Sequence, residues 1–377
     1  MRYLFIVQGE GRGHMTQAMT LYDMLRKNGH EVRAVIAGTH ERRQLPSFFS
    51  THFTCPVYGV ASPSFVTDEE RKGINLRATI TQNLLRNRTF IRSLRAIHHI
   101  VTSTEPDVII NFYDFLGGLY SYTYRPRARY IVIGHQYLSH HPDFPFAEGR
   151  VRERRLLLLN NRITSFGAEK KLALSFRNYA PHDINGLHIV PPLVRCSIKE
   201  LEVSDKGYLL AYLVNHGYAS QVRQWHARNR HVQMHCFWDH RDCPEAYSPH
   251  PNLTFHPLDG QKFMQMMASC TAYASTAGFE SVCEAMYLGK PAMLVPVEGH
   301  YEQACNALDA CLSGAGVTGD SFDLDQLLSY LPEYVSDSLT FKSWVDSAEA
   351  HILPLLTKEA NRSKGRQKRS HHSKELA

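Results

Sequence analysis

Residues 274–296 read ASTAGFESVCEAMYLGKPAMLVP. An apolar run stops at small residues here, and helical spacing over 279–288 begins directly after Gly278. The Gly-Lys-Pro that follows would end this helix. The apolar run 292–297 then predicts a short, buried, parallel strand. The stretch therefore predicts a strand–helix–strand unit, and with it an α/β fold.

The start of this helix is a predicted binding position for a phosphate. The first turn of a helix leaves backbone N–H groups unpaired and carries the positive end of the helix dipole. Gly278 has no side chain to block a phosphate, and the hydroxyls of Thr276 and Ser281 stand on either side of it. The alternative is an ordinary α/β unit whose polar residues only face solvent.

Polar residues that suit sugar binding occur in and after this unit. Glu284 lies in the predicted helix, and Glu302 and Gln303 follow the predicted strand. A carboxylate accepts hydrogen bonds from both hydroxyls of a vicinal diol, and an amide both donates and accepts. The three side chains are therefore candidates for binding hydroxyl groups.

The chain over roughly 255–310 resembles the donor-binding half of glycosyltransferases with two facing Rossmann-like domains, the GT-B fold. The resemblance is to the peptidoglycan lipid-intermediate N-acetylglucosaminyltransferase, the diacylglycerol galactosyltransferases and the UDP-glycosyltransferases. In that group a glutamate seven residues before the proline of the helix–strand turn binds the ribose, and Glu284 stands seven before Pro291. An acidic-Gln pair contacts the transferred sugar, which here implies Glu302-Gln303.

The resemblance also implies how the nucleotide is bound. The family holds the base, uracil, through backbone groups of the loop that here contains Pro257 and Leu258. Glu302 stands where the peptidoglycan enzyme has Gln, and Glu10 and Arg12 add charge to the N-terminal glycine turn, so the donor sugar stays open. The predicted donor-binding residues are Gly13, Pro257, Leu258, Thr276, Gly278, Phe279, Ser281, Glu284, Glu302 and Gln303.

The N-terminus predicts a second strand–helix–strand unit. An apolar strand over 2–7 is followed by QGEGRGHMTQA at 8–18, a helix to Lys27 and another strand at 32–37. The glycines imitate a dinucleotide fingerprint. However, the third glycine is not at the expected place, and no acidic residue ends the second strand. This disfavours a nicotinamide or flavin cofactor, and we expect no cofactor other than a UDP-sugar substrate.

His14 is the predicted catalytic residue. The glycosyltransferase family has a similar glycine turn ending in Gly-His, which faces the sugar across the cleft and implies a base that deprotonates the acceptor hydroxyl. A helix N-terminus disfavours imidazolium and keeps the ring a neutral acceptor. The chain has 22 histidines, so a packing role, or contact with phosphate, is the alternative.

Three further residues are candidates on the acceptor side. A strand over 108–111 leads into 112–118, which we predict to be a loop over the cleft, and a strand over 130–133 leads into Gly-His-Gln. Ligands of open α/β sheets lie at the carboxyl ends of the strands. Asp114, His135 and Gln136 therefore become acceptor-side candidates, with a structural role as the alternative for each.

The length of 377 residues suits two domains. We predict an acceptor-side Rossmann-like domain over 1–192 and a nucleotide-sugar domain over 193–340, divided near paired prolines. A helix over 341–357 is expected to cross back and pack on the first domain. The remaining 358–377 is predicted to be a basic, disordered tail.

Charge and apolar patterning bear on location. The net charge is +6, to which the tail contributes seven Lys or Arg. The tail could bind anionic lipid or nucleic acid, and the arginines of 150–155 beside the leucines of 156–159 could lie on a membrane, although an exposed helix face is favoured. No apolar run is long enough to span a membrane or act as a signal peptide. We expect a cytoplasmic protein, with the inner face of the membrane as one option.

The remaining motifs indicate neither a metal-binding site nor a disulfide bond. The eight cysteines show no C-x-x-C pair or metal spacing, which suggests reduced thiols. Asp323-Leu-Asp325 imitates the metal motif of the other major glycosyltransferase fold, but its place before a helix indicates capping. We therefore expect no essential metal.

The sequence thus predicts an inverting, metal-independent transfer from a UDP-sugar to a hydroxyl, with a lipid-linked acceptor among the options. Two alternatives stay open: a nucleotide-sugar hydrolase or epimerase, and a non-catalytic nucleotide-sugar-binding protein.

Overall fold

The computed structural model describes residues 1–9, 11–39, 45–63, 87–182, 184, 186–214, 216–240 and 245–357. These residues form two seven-stranded sheets with helices packed against them. The fold is therefore α/β with two Rossmann-like units, as the sequence predicts. The predicted basic tail, 358–377, lies outside the described residues.

The first sheet is entirely parallel, with strand order β3-β2-β1-β4-β5-β6-β7. Every residue of 3–7 and of 108–112 is buried, as expected for parallel strands covered on both faces. The strands are β1 (Arg2–Val7), β2 (Glu31–Thr39), β3 (Val57–Ala61), β4 (Val108–Phe112), β5 (Arg129–Ile133), β6 (Lys170–Leu174) and β7 (Leu187–Val190).

The helices of this unit differ from expectation at one place. The segment 112–118, predicted to be a loop, contains the start of a helix, because Asp114 caps it by accepting from Leu116 N at 2.8 Å and from Gly117 N at 3.4 Å. The helices are α1 (Gly13–Lys27), α2 (Ser47–Ser50), α3 (Asn87–Thr104), α4 (Phe115–Tyr124) and α5 (Val151–Thr164), with a 3₁₀ helix at His135–His140.

The second sheet has the order β10-β11-β9-β8-β12-β13-β14, and only β10 pairs antiparallel. The strand predicted over 292–297 ends three residues early, at Leu294. The strands are β8 (Tyr208–Leu213), β9 (Gln233–Trp238), β10 (Tyr247–His250), β11 (Leu253–Pro257), β12 (Ala272–Ser275), β13 (Ala292–Leu294) and β14 (Gly316–Thr318).

Helices connect the two sheets and cover the second one. The helix predicted over 279–288 is confirmed to within one residue as α9. The helices are α6 (Cys196–Lys199), α7 (Ala219–Arg228), α8 (Gly260–Ser269), α9 (Phe279–Tyr287), α10 (Tyr301–Leu312) and α11 (Asp325–Tyr330), with 3₁₀ helices at His216–Tyr218 and Leu331–Glu333.

The chain returns to the first unit through two helices where one was predicted. These are α12 (Ser338–Asp346) and α13 (Ala348–Thr357). They are separated at Ser347, whose hydroxyl donates to the carbonyl of Trp344 at 2.6 Å and so competes with the helical pattern. The end of α13 packs on the first unit, where Lys170 Nζ donates to the carbonyl of Leu355 at 2.7 Å. The predicted return to the first domain is therefore confirmed.

The strand order brings the loops of the predicted site to shared sheet edges. Strands β1, β4 and β5 are neighbours in one sheet, and β8, β12 and β13 are neighbours in the other. The loop after β1 needs glycine, because a Cβ on Gly9 would lie 1.6 Å from the carbonyl oxygen of Gly38. In the described parts of the chain, no helix combines the length and apolar character needed to cross a bilayer.

Candidate active site

His14 lies in the first turn of α1 and faces the second sheet's unit. Its Nδ1 is 3.2 Å from Oε1 of Gln17, and its ring stacks on Tyr113 with a centroid distance of 5.7 Å. Burial lowers the pKa of His14 from 6.5 to about 4. The imidazole is therefore neutral near pH 7, with one nitrogen as donor and the other as acceptor.

Gln136 connects His14 to the second unit. Its Nε2 lies 3.3 Å from Nε2 of His14 and donates to Oε1 of Glu302 at 2.9 Å. The amide has two hydrogens, so it can donate to both partners, and Nε2 of His14 then acts as the acceptor. Two residues of the first unit thus meet a carboxylate of the second. This brings together His14, Gln136 and Glu302, which were predicted separately.

Glu302 and Gln303 start α10 but point to different partners. Burial raises the pKa of Glu302 from 4.5 to about 7, so its charge is sensitive to its surroundings near neutral pH. Gln303 accepts from Val297 N at 2.9 Å through Oε1, which fixes the preceding loop. Only Glu302 of this predicted pair contacts the residues around His14.

The start of α9, where the sequence predicts a phosphate, is an uncapped helix N-terminus, and the phosphate position stays a prediction. Gly278 precedes the helix in an extended conformation, and no side chain caps the helix. Thr276, before it, is 4% exposed. Gly13, at the start of α1, lies so close that a Cβ there would be 3.2 Å from Cγ of Glu280. Two helix N-termini, each with unpaired N–H groups, therefore converge on this region.

Glu280 occupies the space between these helix starts, and the sequence did not single it out. Its Oε1 accepts from Nε2 of Gln17 at 2.6 Å, and Oε2 has no hydrogen-bond partner among the described residues. Burial raises the pKa of Glu280 from 4.5 to about 8. Two features of the sequence could have indicated these residues. Gln17 follows His14 by three residues, which places both side chains on one face of the helix, and Glu280 lies in the first turn of α9.

Glu284, the predicted ribose-binding residue, lies one turn further along α9. It is 1% exposed, and its Oε1 is 2.6 Å from Nε of Arg195. Arg195 belongs to the connection between the two sheets and was missed, because no local pattern links it to Glu284. Pro257 and Leu258, predicted to hold the base, lie half-buried at the end of β11.

Two acceptor-side candidates have hydrogen-bond partners within the protein. The Asp114 carboxylate caps α4 and accepts from Ser62 Oγ at 2.9 Å, and burial raises its pKa to about 6. His135 donates from Nδ1 to the carbonyl of Leu174 at 2.7 Å and stacks on Phe279 at 4.1 Å. Asp114 thus caps a helix and His135 packs between the units, and the acceptor-side role of both stays a prediction.

The prediction that no metal is essential stays a prediction. His141, Asp143 and His182 lie together, but His141 accepts from Asp143 N at 3.2 Å and contacts the Ala180 carbonyl at 3.0 Å through its other nitrogen. Both ring nitrogens are thus engaged within the protein. In the Asp-Leu-Asp motif, Asp323 accepts from the backbone N–H of the second aspartate at 3.2 Å, which agrees with capping.

Gln136 thus links His14 of one Rossmann-like unit to Glu302 of the other, and two such units are the architecture of a GT-B glycosyltransferase. The chain belongs to glycosyl transferase family 1, whose pattern it matches over residues 1–334. No curated protein matches this sequence.

Solved structures show the same fold at low sequence identity. The chain is similar to the Streptomyces sp. SF2575 glycosyltransferase SsfS6, with 16% identity, a TM-score of 0.58 and coverage of 95% of this chain and 100% of that one. The chain is similar to Acinetobacter baumannii MurG with 14% identity, a TM-score of 0.57 and coverage of 94% of this chain and 99% of that one. It is also similar to Phytolacca americana UGT2, complexed with UDP-2-fluoro-glucose and pterostilbene, with 12% identity, a TM-score of 0.60 and coverage of 92% of this chain and 94% of that one. These likenesses show the fold, and the family match shows a glycosyltransferase.

Proposed function

We propose that this glycosyltransferase transfers a sugar with inversion from a UDP-sugar to a hydroxyl group, without an essential metal ion. The observation that carries the proposal is the neutral imidazole of His14, whose Nε2 acts as an acceptor toward the side of the cleft occupied by Glu302. A hydroxyl that displaces the Gln136 amide would meet a base on one side and a carboxylate that binds sugar hydroxyls on the other.

The proposed reaction begins with proton transfer. Nε2 of His14 takes the proton of the acceptor hydroxyl, and the oxygen attacks the anomeric carbon of the sugar. The bond from that carbon to the diphosphate breaks on the opposite face, which inverts the configuration. The helix start after Gly278, assisted by the hydroxyls of Thr276 and Ser281, would stabilise the charge that develops on the leaving diphosphate.

A lipid-linked acceptor is supported by the exposed face of α5. The polar residues Asn161 and Thr164 of this helix are buried. Its apolar residues Val151, Leu156 and Leu159 are instead 60%, 42% and 52% exposed to solvent. Arginines 152, 155 and 162 lie on the same exposed face. Apolar side chains among arginines suit the surface of a membrane with anionic lipid. We therefore propose that the protein works at the inner face of a membrane.

The test of the proposed function combines binding and turnover. Calorimetric titration with UDP, UMP, GDP, TDP and NAD, with and without EDTA, should give selective binding of UDP that does not depend on metal. His14→Ala should then lower transfer at least about a hundredfold and leave UDP affinity nearly unchanged. The control His351→Ala alters an exposed histidine of α13 and should transfer normally.

Two results would contradict the proposal. Full transfer by His14→Ala would show that another group is the base. Release of free sugar from the donor at the same rate with and without acceptor would assign a hydrolase instead. Binding of GDP or TDP in place of UDP would keep the transferase and change the donor.

A further inference from the structure

Gln17 joins His14 to a carboxyl group of the second unit. It lies one turn after His14 on α1, and it is 2% exposed. One end of its amide, Oε1, is 3.2 Å from Nδ1 of His14, and the other end, Nε2, is 2.6 Å from Oε1 of Glu280. The three residues form a continuous chain of hydrogen bonds that crosses from one Rossmann-like unit to the other.

The orientation of the Gln17 amide sets the direction of each hydrogen bond. Gln17 turns its NH₂ group toward Glu280, whose Oε1 accepts from Nε2 whether the carboxyl group is ionised or carries its proton on the unpartnered Oε2. The carbonyl oxygen of Gln17 then faces His14 and only accepts, so Nδ1 of His14 must carry the hydrogen. A neutral imidazole has one hydrogen, which leaves the lone pair on Nε2. Nε2 is the nitrogen that faces Gln136 and the cleft.

We propose that Gln17 is a positioning residue that, held by Glu280, selects the Nδ1–H tautomer of His14 and so presents the lone pair of Nε2 to the acceptor hydroxyl. This inference rests on the proposed function for the role of His14 as base. Because Glu280 belongs to the second unit, the chain of hydrogen bonds is complete only when the two units are together.

The groups around His14 supply no other partner for Nδ1 in the described residues. Tyr113 stacks on the ring face, and its hydroxyl bonds to Asn160 and Asn161. Gln136 and, through it, Glu302 meet the ring at Nε2. Within the described residues, only Gln17 contacts Nδ1 of His14. Gln136 donates to Nε2 and favours the same tautomer, so removal of the Gln17 amide should raise the Nε2–H fraction of His14 without making it complete.

The first test observes the tautomer directly. Two-bond ¹H–¹⁵N correlation spectra of the imidazoles distinguish Nδ1–H from Nε2–H, and His14→Asn identifies the His14 signals by their loss. The wild type should show the Nδ1–H tautomer, and Gln17→Leu should shift His14 toward Nε2–H. Thr20→Val is the matched control, because it removes a hydrogen bond within α1, from Thr20 Oγ1 to the Thr16 carbonyl, and should leave the tautomer unchanged.

The second test uses kinetics and a reciprocal exchange. Gln17→Leu should lower kcat at least about tenfold and change the donor KM less than about twofold, because the tautomer affects the reaction more than donor binding. Gln17→Glu alone should also be slow, because two carboxyl groups then face each other. The double variant Gln17→Glu/Glu280→Gln restores a donor opposite an acceptor and should recover most of kcat.

The double variant also gives a readout that a structural role would not produce. A carboxylate at position 17 beside Nδ1–H favours the imidazolium, so the acid limb of the kcat/KM profile should move to higher pH. If the double variant recovers the stability of the wild type but its acid limb does not move to higher pH, the proposal is overturned. If Gln17→Leu fails to fold, the double variant, which keeps both hydrogen bonds, decides the question.

The outcomes separate the inference from the proposed function. An unchanged Nδ1–H signal in Gln17→Leu overturns the positioning role, whatever the activity. A tautomer that depends on Gln17, together with full transfer by His14→Ala, supports the positioning role and removes the assignment of His14 as base.

Discussion

Oε1 of Glu284 lies 2.6 Å from Nε of Arg195, so the glutamate of the donor motif forms an ion pair with the connection between the two sheets. The Glu284 side chain is 2% exposed and that of Arg195 is 30% exposed. Arg195 leaves the second carboxylate oxygen of Glu284 for another partner. A ribose hydroxyl bound there would join a carboxylate that the guanidinium already orients.

Glu284→Ala should weaken UDP binding by about 1–3 kcal/mol, because charge-assisted hydrogen bonds to the ribose are lost. It should also lower the melting temperature, because the guanidinium loses its partner. Arg195→Met is the comparison, since it lowers the melting temperature but keeps the carboxylate, and it should weaken UDP binding less than Glu284→Ala does. Calorimetry with UDP and thermal unfolding measure the two effects. Normal UDP affinity in Glu284→Ala would show that the residue is purely structural.

Local patterns predicted the elements of the fold and the position of His14. Strands β1 and β8 and helices α1 and α9 follow from apolar periodicity and from glycine or proline at their ends. These signals lie within a few residues of each other, so they need no knowledge of packing. The same holds for the convergence of loops at the carboxyl ends of neighbouring parallel strands.

Contacts between distant segments could not be predicted in this way. Gln17 and Glu280 are 263 residues apart, and their hydrogen bond depends on how the two units pack. The misassigned loop at 112–118 has a different cause. A Cβ on Gly118 would lie 1.9 Å from the carbonyl oxygen of Ile163, so glycine there allows α4 and α5 to pack closely instead of marking a loop. Asp114 before the helix was an available N-cap signal.

The pH dependence of stability should reveal the buried carboxyl group of Glu302. The unfolded residue loses its proton near pH 4.5 and the folded one near pH 7, so between these values the folded state binds more protons. Stability should therefore fall as the pH rises through this range. His14 has a pKa of 6.5 in the unfolded chain and about 4 in the folded protein. Above pH 6.5 it is therefore mostly neutral in both states and contributes little to the change of stability with pH.

Glu302→Gln cannot ionise and should therefore show a smaller fall in melting temperature between pH 6.5 and 8 than the wild type. Glu280→Gln should also show a smaller fall in melting temperature, over a pH range that extends to about pH 8. Glu333→Gln, at an exposed carboxyl group, is the control and should follow the wild-type profile. Parallel profiles for all four proteins would show that neither buried carboxyl group titrates in this range.

Binding to anionic lipid should depend on the exposed face of α5. Arg152→Glu/Arg155→Glu reverses two charges there and should weaken cosedimentation with phosphatidylglycerol vesicles at least about tenfold, because each basic residue near such a surface contributes about 1 kcal/mol. Arg228→Glu/Arg230→Glu makes the same charge change on the second unit and should bind nearly normally. Equal weakening by both pairs would indicate an effect of net charge without a specific face.

Two contacts of α13 with the first unit should differ in their contribution to stability. Arg129 NH1 donates to the Leu356 carbonyl at 2.8 Å, and its side chain is 15% exposed. Lys27 contacts Glu349 at 3.3 Å, but its side chain is 75% exposed. Arg129→Met removes this contact and the ion pair with Glu169, so it should lower the free energy of unfolding by about 1–3 kcal/mol, and Lys27→Met by no more than about 1 kcal/mol. Urea unfolding measures both, and equal losses would mean that the return of α13 does not depend on the buried arginine.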